Sequence, residues 1–301
     1  MSPPSWTITR WVRMGLCIHS GTSSNEMTLP LGSEQPPPGT LYIETSMPST
    51  IRLRVKRQFQ KDAEPYWETF EIPFKEKLNV ISALMEIRRN PRTVEGKDVA
   101  PPAWEGACLE EVCGSCTMVI NGGVRQACTA LIEDVATVHG DRYELDIEPM
   151  TKFPVVRDLI VDRARMFENL KKVQAWVPID GSFDRGMAPP QDDHVRQLRY
   201  ALSRCMTCGC CVEACPQFSD KTVFVGPAAM GQALLFNLHP VGKTLENERL
   251  DFLTTEEGIT NCGNAQNCVK ICPKGVPLTH AIAELNRDTQ VYKLRRWMGL
   301  V

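Results

Sequence analysis

Thirteen cysteines in a chain of 301 residues call for either oxidised pairs or metal. Cys205, Cys208, Cys210, Cys211 and Cys215 are crowded together, too close in sequence to staple separate elements. Disulfide-dense proteins are small, secreted and poor in core residues. Here 43% of residues are apolar, and no apolar stretch of a secretory signal stands near the start. The cysteines therefore point to thiolate ligation of metal in a reducing compartment. A net charge of -2 argues against nucleic acid as the main partner. No run of about eighteen apolar residues is present, so the chain is not expected to cross a membrane by itself.

Cys108, Cys113 and Cys116 are spaced C-x4-C-x2-C, and Cys128 follows. This is the plant-type spacing for a [2Fe–2S] cluster. A loop must curl so that several thiolates converge on two irons. Gly106 and Gly114 supply backbone freedom, and exposed amides can donate to the sulfurs. The last ligand arrives from the hairpin that follows. Zinc is the competing use of four thiolates, but it more often takes two C-x2-C knuckles.

Cys205, Cys208, Cys211 and Cys215-Pro216 form C-x2-C-x2-C-x3-C-P, the bacterial ferredoxin run whose fourth cysteine serves the other cluster. A second run, Cys262, Cys268 and Cys272-Pro273, fits the same template except that Ala265 holds the middle ligand position. Crossing the ligands assigns Cys205, Cys208, Cys211 and Cys272 to a [4Fe–4S] cluster. Cys215, Cys262 and Cys268 remain for the other. Alanine cannot bind iron, so that cluster is expected to lack one corner, as [3Fe–4S]. Cys210 falls outside the template and is read as a packed thiol.

These ligands need elements to hold them. Ile51, Leu53 and Val55 alternate, as do Phe70, Ile72 and Phe74, the period of half-buried strands. A helix is predicted over 78–88, strands over 117–120 and around Tyr143, Leu145 and Ile147, and a tight turn at Asn121-Gly122-Gly123. Beyond residue 155 the period becomes helical, with helices predicted within 157–175 and over 193–204, 227–238 and 277–287. Pro227 suits a first helical turn. The fold class is α+β with a boundary near 150: domains at 47–150 and 151–301. Residues 1–46, rich in Ser, Thr, Pro and Gly, are expected to be a disordered or misassigned extension. Arg10 and Arg13 also allow a transit peptide, and Cys17 is given no role.

The segments Cys108 to Cys116, Cys205 to Pro216 and Asn267 to Gly275 resemble the iron–sulfur subunit of succinate dehydrogenases and fumarate reductases, over about residues 50–290. The resemblance implies a β-grasp plant-type ferredoxin domain followed by an all-α bacterial-type ferredoxin domain. It implies FAD on a flavoprotein subunit, a membrane anchor subunit that can be a cytochrome b, and a membrane quinone. The implied place is peripheral, on the cytoplasmic face of the bacterial inner membrane, in the respiratory chain and tricarboxylic acid cycle. Electrons would pass through the two-iron, four-iron and three-iron clusters in turn, and this chain holds no catalytic residue for the substrate. Asn261-Cys-Gly-Asn-Ala-Gln-Asn-Cys268 looks like the menaquinone-using branch. Ubiquinone-using relatives carry Trp and His where this chain has Ser219 or Asp220, and Gly263. Of the quinone site only Pro216 carries over. Lys274 is read as a surface lysine or a quinone-steering charge. Lys293, Arg295, Arg296 and Trp297 are read as a solvated tail or a lipid-facing end. Alternatives are a fumarate reductase subunit, a stand-alone multi-cluster ferredoxin, and a zinc-binding interaction protein.

Overall fold

A computed structural model describes residues 48–178 and 190–300. The amino-terminal extension and Cys17 lie outside them. In β1 (Thr50–Arg57), Ile51, Leu53 and Val55 point into a core. The intervening Arg52 and Lys56 reach Glu71 and Glu148 across the outer face, each at 3.0 Å. β2 (Tyr66–Pro73) pairs antiparallel with β1. α1 (Val80–Arg89) follows, with buried Val80, Ile81, Ala83, Leu84 and Ile87. Asn79 caps it by accepting from Ser82 N at 2.8 Å.

β3 (Thr117–Ile120) and β4 (Gly123–Gln126) form a hairpin. Asn121 (φ 48°) and Gly122 (φ 74°) form its turn, the left-handed pair that matches strand twist. After α2 (Ile132–Val135) come β5 (Thr137–His139) and β6 (Arg142–Glu148). The sheet runs β2-β1-β6-β3-β4, with β5 also on β6; β1 and β6 are parallel.

The helix predicted within 157–175 is shorter than expected. β7 (Val155–Arg157) and β8 (Ile160–Val161) form a small hairpin first, and α3 runs only over Ala164–Lys172. The cause is Asp158, which turns with φ 48° and is buried against Arg57. Its carboxylate accepts from Arg57 Nε at 3.0 Å, Ala103 N at 2.8 Å and Gln58 N at 3.2 Å. That tether pins the connector to β1 and carries Leu159 into the first core. Met150 and Phe153 already belong to the second core.

Beyond Val161 the regular elements among the described residues are all helical. After α3 come α4 (Asp193–Ser203), α5 (Cys210–Glu213), α6 (Pro227–Asn237), α7 (Glu246–Leu253), α8 (Asn267–Lys270) and α9 (Leu278–Trp297). Pro227 opens α6 as expected. α9 extends ten residues past its predicted end because Thr289 and Tyr292 continue its buried face. The basic, aromatic end is therefore helical, with Lys293, Arg295, Arg296 and Trp297 exposed on it. α7 was not anticipated; buried Arg249 holds it by donating to Gln174 O, Asn237 Oδ1, Gly242 O and Trp176 O at 2.6–3.1 Å. The halves pack into one compact unit, joined by a small cluster of Val119, Val124, Cys208 and Cys210.

Candidate metal centres

The loop from Cys108 to Cys116 leaves the sheet as a series of left-handed turns, at Leu109 (φ 61°), Glu111 (φ 56°) and Gly114 (φ 73°). These turn backbone N–H groups inward. Cys108 Sγ accepts from Glu110 N at 3.4 Å and from Val112 N and Cys113 N at 3.3 Å. A sulfur ringed by amides is prepared to carry negative charge. Cys113 lies beside Ser115 Oγ at 3.0 Å, and that hydrogen bond draws its thiol down to about 6. Cys116, at the head of β3, is buried next to Cys128, and burial pushes its thiol up to about 12. Asn79, the cap of α1, donates to Cys128 O at 2.9 Å. Thr129 then donates to Glu111 Oε1 at 2.8 Å, closing the hairpin exit onto the loop.

α4 delivers Cys205 two residues beyond its end, after Asp192 caps its start by accepting from His194 N at 2.9 Å. Cys205, Cys208, Cys211 and Cys272 line one cavity of about 380 Å³, with Pro273 and Lys274. Lys274 is half-buried and lines the four-thiol cavity. Burial holds the Cys205 and Cys211 thiols high. Cys208 is drawn down to about 7 by a hydrogen bond from Cys210. Cys210 is fully buried, a packed thiol that keeps its proton and donates it toward a neighbour.

A second cavity of about 400 Å³ is lined by Cys215, Cys262 and Cys268 together with Pro216, Gln217, Gly263 and Ala265. The methyl of Ala265 offers no donor there. Burial raises the Cys268 thiol, and charge on Cys215 and Cys262 reinforces it. Asn267 donates to Ala214 O at 3.1 Å, tying α8 to the end of α5. The two runs therefore interlock, and Cys272 sits with the first while Cys215 sits with the second.

Sequence reasoning missed the groups between the sites. A Cβ on Gly263 would lie 2.6 Å from Gln217 Nε2, so Gln217 covers that glycine. Gln126, 1% exposed, donates to Thr117 Oγ1 at 2.6 Å and faces Cys210 Sγ at 3.4 Å. Thr117 Oγ1 in turn contacts the carbonyls of Gly114 and Cys208, both at 2.8 Å. These polar side chains take on meaning only where the two halves meet. Among the described residues no three His, Cys, Asp or Glu side chains gather at the spacing of one ion. In both larger sites the thiols ring a cavity, as a group several atoms wide requires, and the donor sets fit iron–sulfur clusters.

Residues 52–168 match the 2Fe-2S iron-sulfur cluster binding domain, and residues 201–276 match the 4Fe-4S dicluster domain. The succinate dehydrogenase iron-sulfur subunit of Bacillus subtilis is 54% identical over 250 residues, 83% of this chain and 96% of that one. The chain belongs to the succinate dehydrogenase iron–sulfur subunit family. Fumarate reductase iron-sulfur subunits are also similar: that of Haemophilus influenzae is 29% identical over 240 residues, 73% of this chain and 85% of its own. A chain of the Mycobacterium smegmatis Sdh1 complex in the apo form shares the fold, with a TM-score of 0.65 at 21% identity. The alignment covers 82% of this chain and 98% of that one. As a member of this family the chain transfers electrons, through a plant-type two-iron domain followed by a helical dicluster domain. Among its described residues no helix is long and apolar enough to cross a membrane.

Proposed function

We propose that the chain relays single electrons from the FAD of a flavoprotein subunit to a membrane quinone in the direction of succinate oxidation. In this reading Cys108, Cys113, Cys116 and Cys128 hold [2Fe–2S], within a domain ending near residue 150. Cys205, Cys208, Cys211 and Cys272 hold [4Fe–4S], and Cys215, Cys262 and Cys268 hold [3Fe–4S]. The observation that carries it is Ala265 lining the three-thiol cavity while four thiols line its neighbour. When bound, such clusters supply one-electron carriers whose potentials follow type, hydrogen bonding and burial.

The chain's own residues set the conditions. The amides around Cys108 favour added negative charge on one side of the first site. Close packing of Gly114 on Cys208 keeps the first and second sites near each other. Pro216, on the three-thiol cavity, would sit beside the quinone. Ser219, Asp220 and Gly263, where ubiquinone-using relatives carry Trp and His, favour menaquinone. The first half would meet the flavoprotein. The second would meet a membrane anchor, possessing haem or not, at the cytoplasmic face of the inner membrane. The succinate direction is favoured over fumarate reduction by 54% identity to a succinate dehydrogenase subunit against 29% to the fumarate reductase one.

Low-temperature EPR on the isolated complex, with iron counted alongside, tests this reading. A three-iron signal in the oxidised protein and a two-iron signal developing on succinate addition are expected. Clusters that succinate leaves untouched would sink it in favour of a stand-alone carrier.

A further inference from the structure

Arg163 stands between β8 and α3, where nothing in the cysteine pattern draws attention to it. Its guanidinium donates through Nη1 to Gly114 O at 2.8 Å and through Nη2 to Ser115 O at 2.7 Å. These are the two carbonyls between Cys113 and Cys116. Nη2 also meets Glu105 Oε2 at 2.7 Å. The same loop presses on the second site, since a Cβ on Gly114 would lie 2.6 Å from Cys208 Cα. The charge of Arg163 is felt at Cys208 as well. One cation thus sits at the seam of two thiol sets.

Its charge is only partly answered. The Arg163 side chain is 13% exposed, whereas that of Glu105 is 43% exposed; water screens the carboxylate more than the guanidinium. Arginine stays protonated at every working pH, and its planar fork can satisfy two carbonyls at once. Adding an electron to either site adds negative charge beside it.

Building on the ligand assignment above, we infer that Arg163 is a positioning residue whose fixed positive charge raises the reduction potentials of the first and second clusters together, while its fork holds their loops in register. The three-thiol site has no contact with it, so the third cluster serves as an internal reference.

The test is a potentiometric EPR titration of all three clusters in the assembled complex, for wild type, Arg163→Gln, Arg163→Lys and Glu105→Gln. In Arg163→Gln the two-iron and four-iron potentials should both fall, by up to a tenfold change in each reduction equilibrium, or about 59 mV for one electron. The three-iron potential should hold. Arg163→Lys keeps the charge and should restore most of the shift. Glu105→Gln leaves Arg163 in place and removes its counter-charge, so both potentials should rise. A bare strut would lower thermal stability or iron content without moving any potential, and that result overturns the inference. So does a Glu105→Gln shift that is absent or downward, which decides the matter even where Arg163→Gln fails to assemble. Absence of a two-iron signal in wild type would instead overturn the ligand assignment itself.

Discussion

Gly114 and Cys208 meet backbone to backbone: a methyl on Gly114 would fall 2.6 Å from Cys208 Cα and 2.7 Å from its Cβ. Gly114 also sits at φ 73°, where an L side chain is strained. The contact brings a loop of the sheet domain against a loop of the helical domain with no side chain between them. Gly114→Ala should therefore part the two loops as well as strain one. We expect a loss of about 1–3 kcal/mol of stability, read as a fall in the denaturant midpoint of the apo-chain, and weaker magnetic interaction between the first two clusters in the complex. An unchanged relaxation of the two-iron signal would show that the loops do not set the cluster spacing.

Ala265→Cys supplies the ligand missing from the three-thiol cavity. The oxidised-state three-iron signal should shrink or vanish, and iron content should rise toward one further atom per chain. Persistence of the full signal would mean that residue 265 is not the open corner.

Cys210 and Cys211 are adjacent and both buried, yet only Cys211 lines the four-thiol cavity. Cys210→Ala should retain the four-iron cluster, and Cys211→Ala should lose it with a drop in iron content. Equal loss in both variants would require a different ligand set in the first run.

Thiols are ligands only when deprotonated, and burial holds Cys205, Cys211 and Cys268 above their ordinary value, with Cys116 at about 12. Reconstitution of the apo-chain with iron and sulfide should accordingly release protons and proceed further as pH rises from 6.5 to 8.5. The apo-fold responds with the opposite sign. Cys116 favours its neutral form when folded, so its contribution is complete below about 9 and is lost as pH climbs toward 12. Titration of released protons during loading, together with apo-chain melting against pH, checks both signs. Loading that is independent of pH would contradict the burial of these thiols.

The crossed grouping of the thiols about two cavities was legible in the spacing of the two cysteine runs, and Ala265 lines the second cavity as a thiol-free position. The strands of the first half were legible too, since Ile51, Leu53 and Val55 each bury completely. What escaped depends on contacts distant in sequence. Asp158 lies in a stretch with helical spacing, but its pairing with Arg57, 101 positions away, turns that stretch into a hairpin. Arg163, Gln126 and Thr117 look like ordinary surface polar residues in sequence, and their roles exist only across the seam.

Arg57 and Asp158 are 2% and 1% exposed, joined at 3.0 Å, with Arg57 also donating to Ala100 O at 3.1 Å and pairing with Glu68. Two ions taken this far out of water are tolerable only while each answers the other. Asp158→Ala leaves the guanidinium facing one carboxylate and strands the amides of Gln58 and Ala103. We expect destabilisation of about 3–5 kcal/mol, read as a fall in the denaturant midpoint of the apo-chain. Arg57→Met with Asp158→Leu removes both charges, so the double variant should recover a large part of that loss. If it is as unstable as Asp158→Ala alone, the amides that Asp158 satisfies, and not its charge, hold the connector to the sheet.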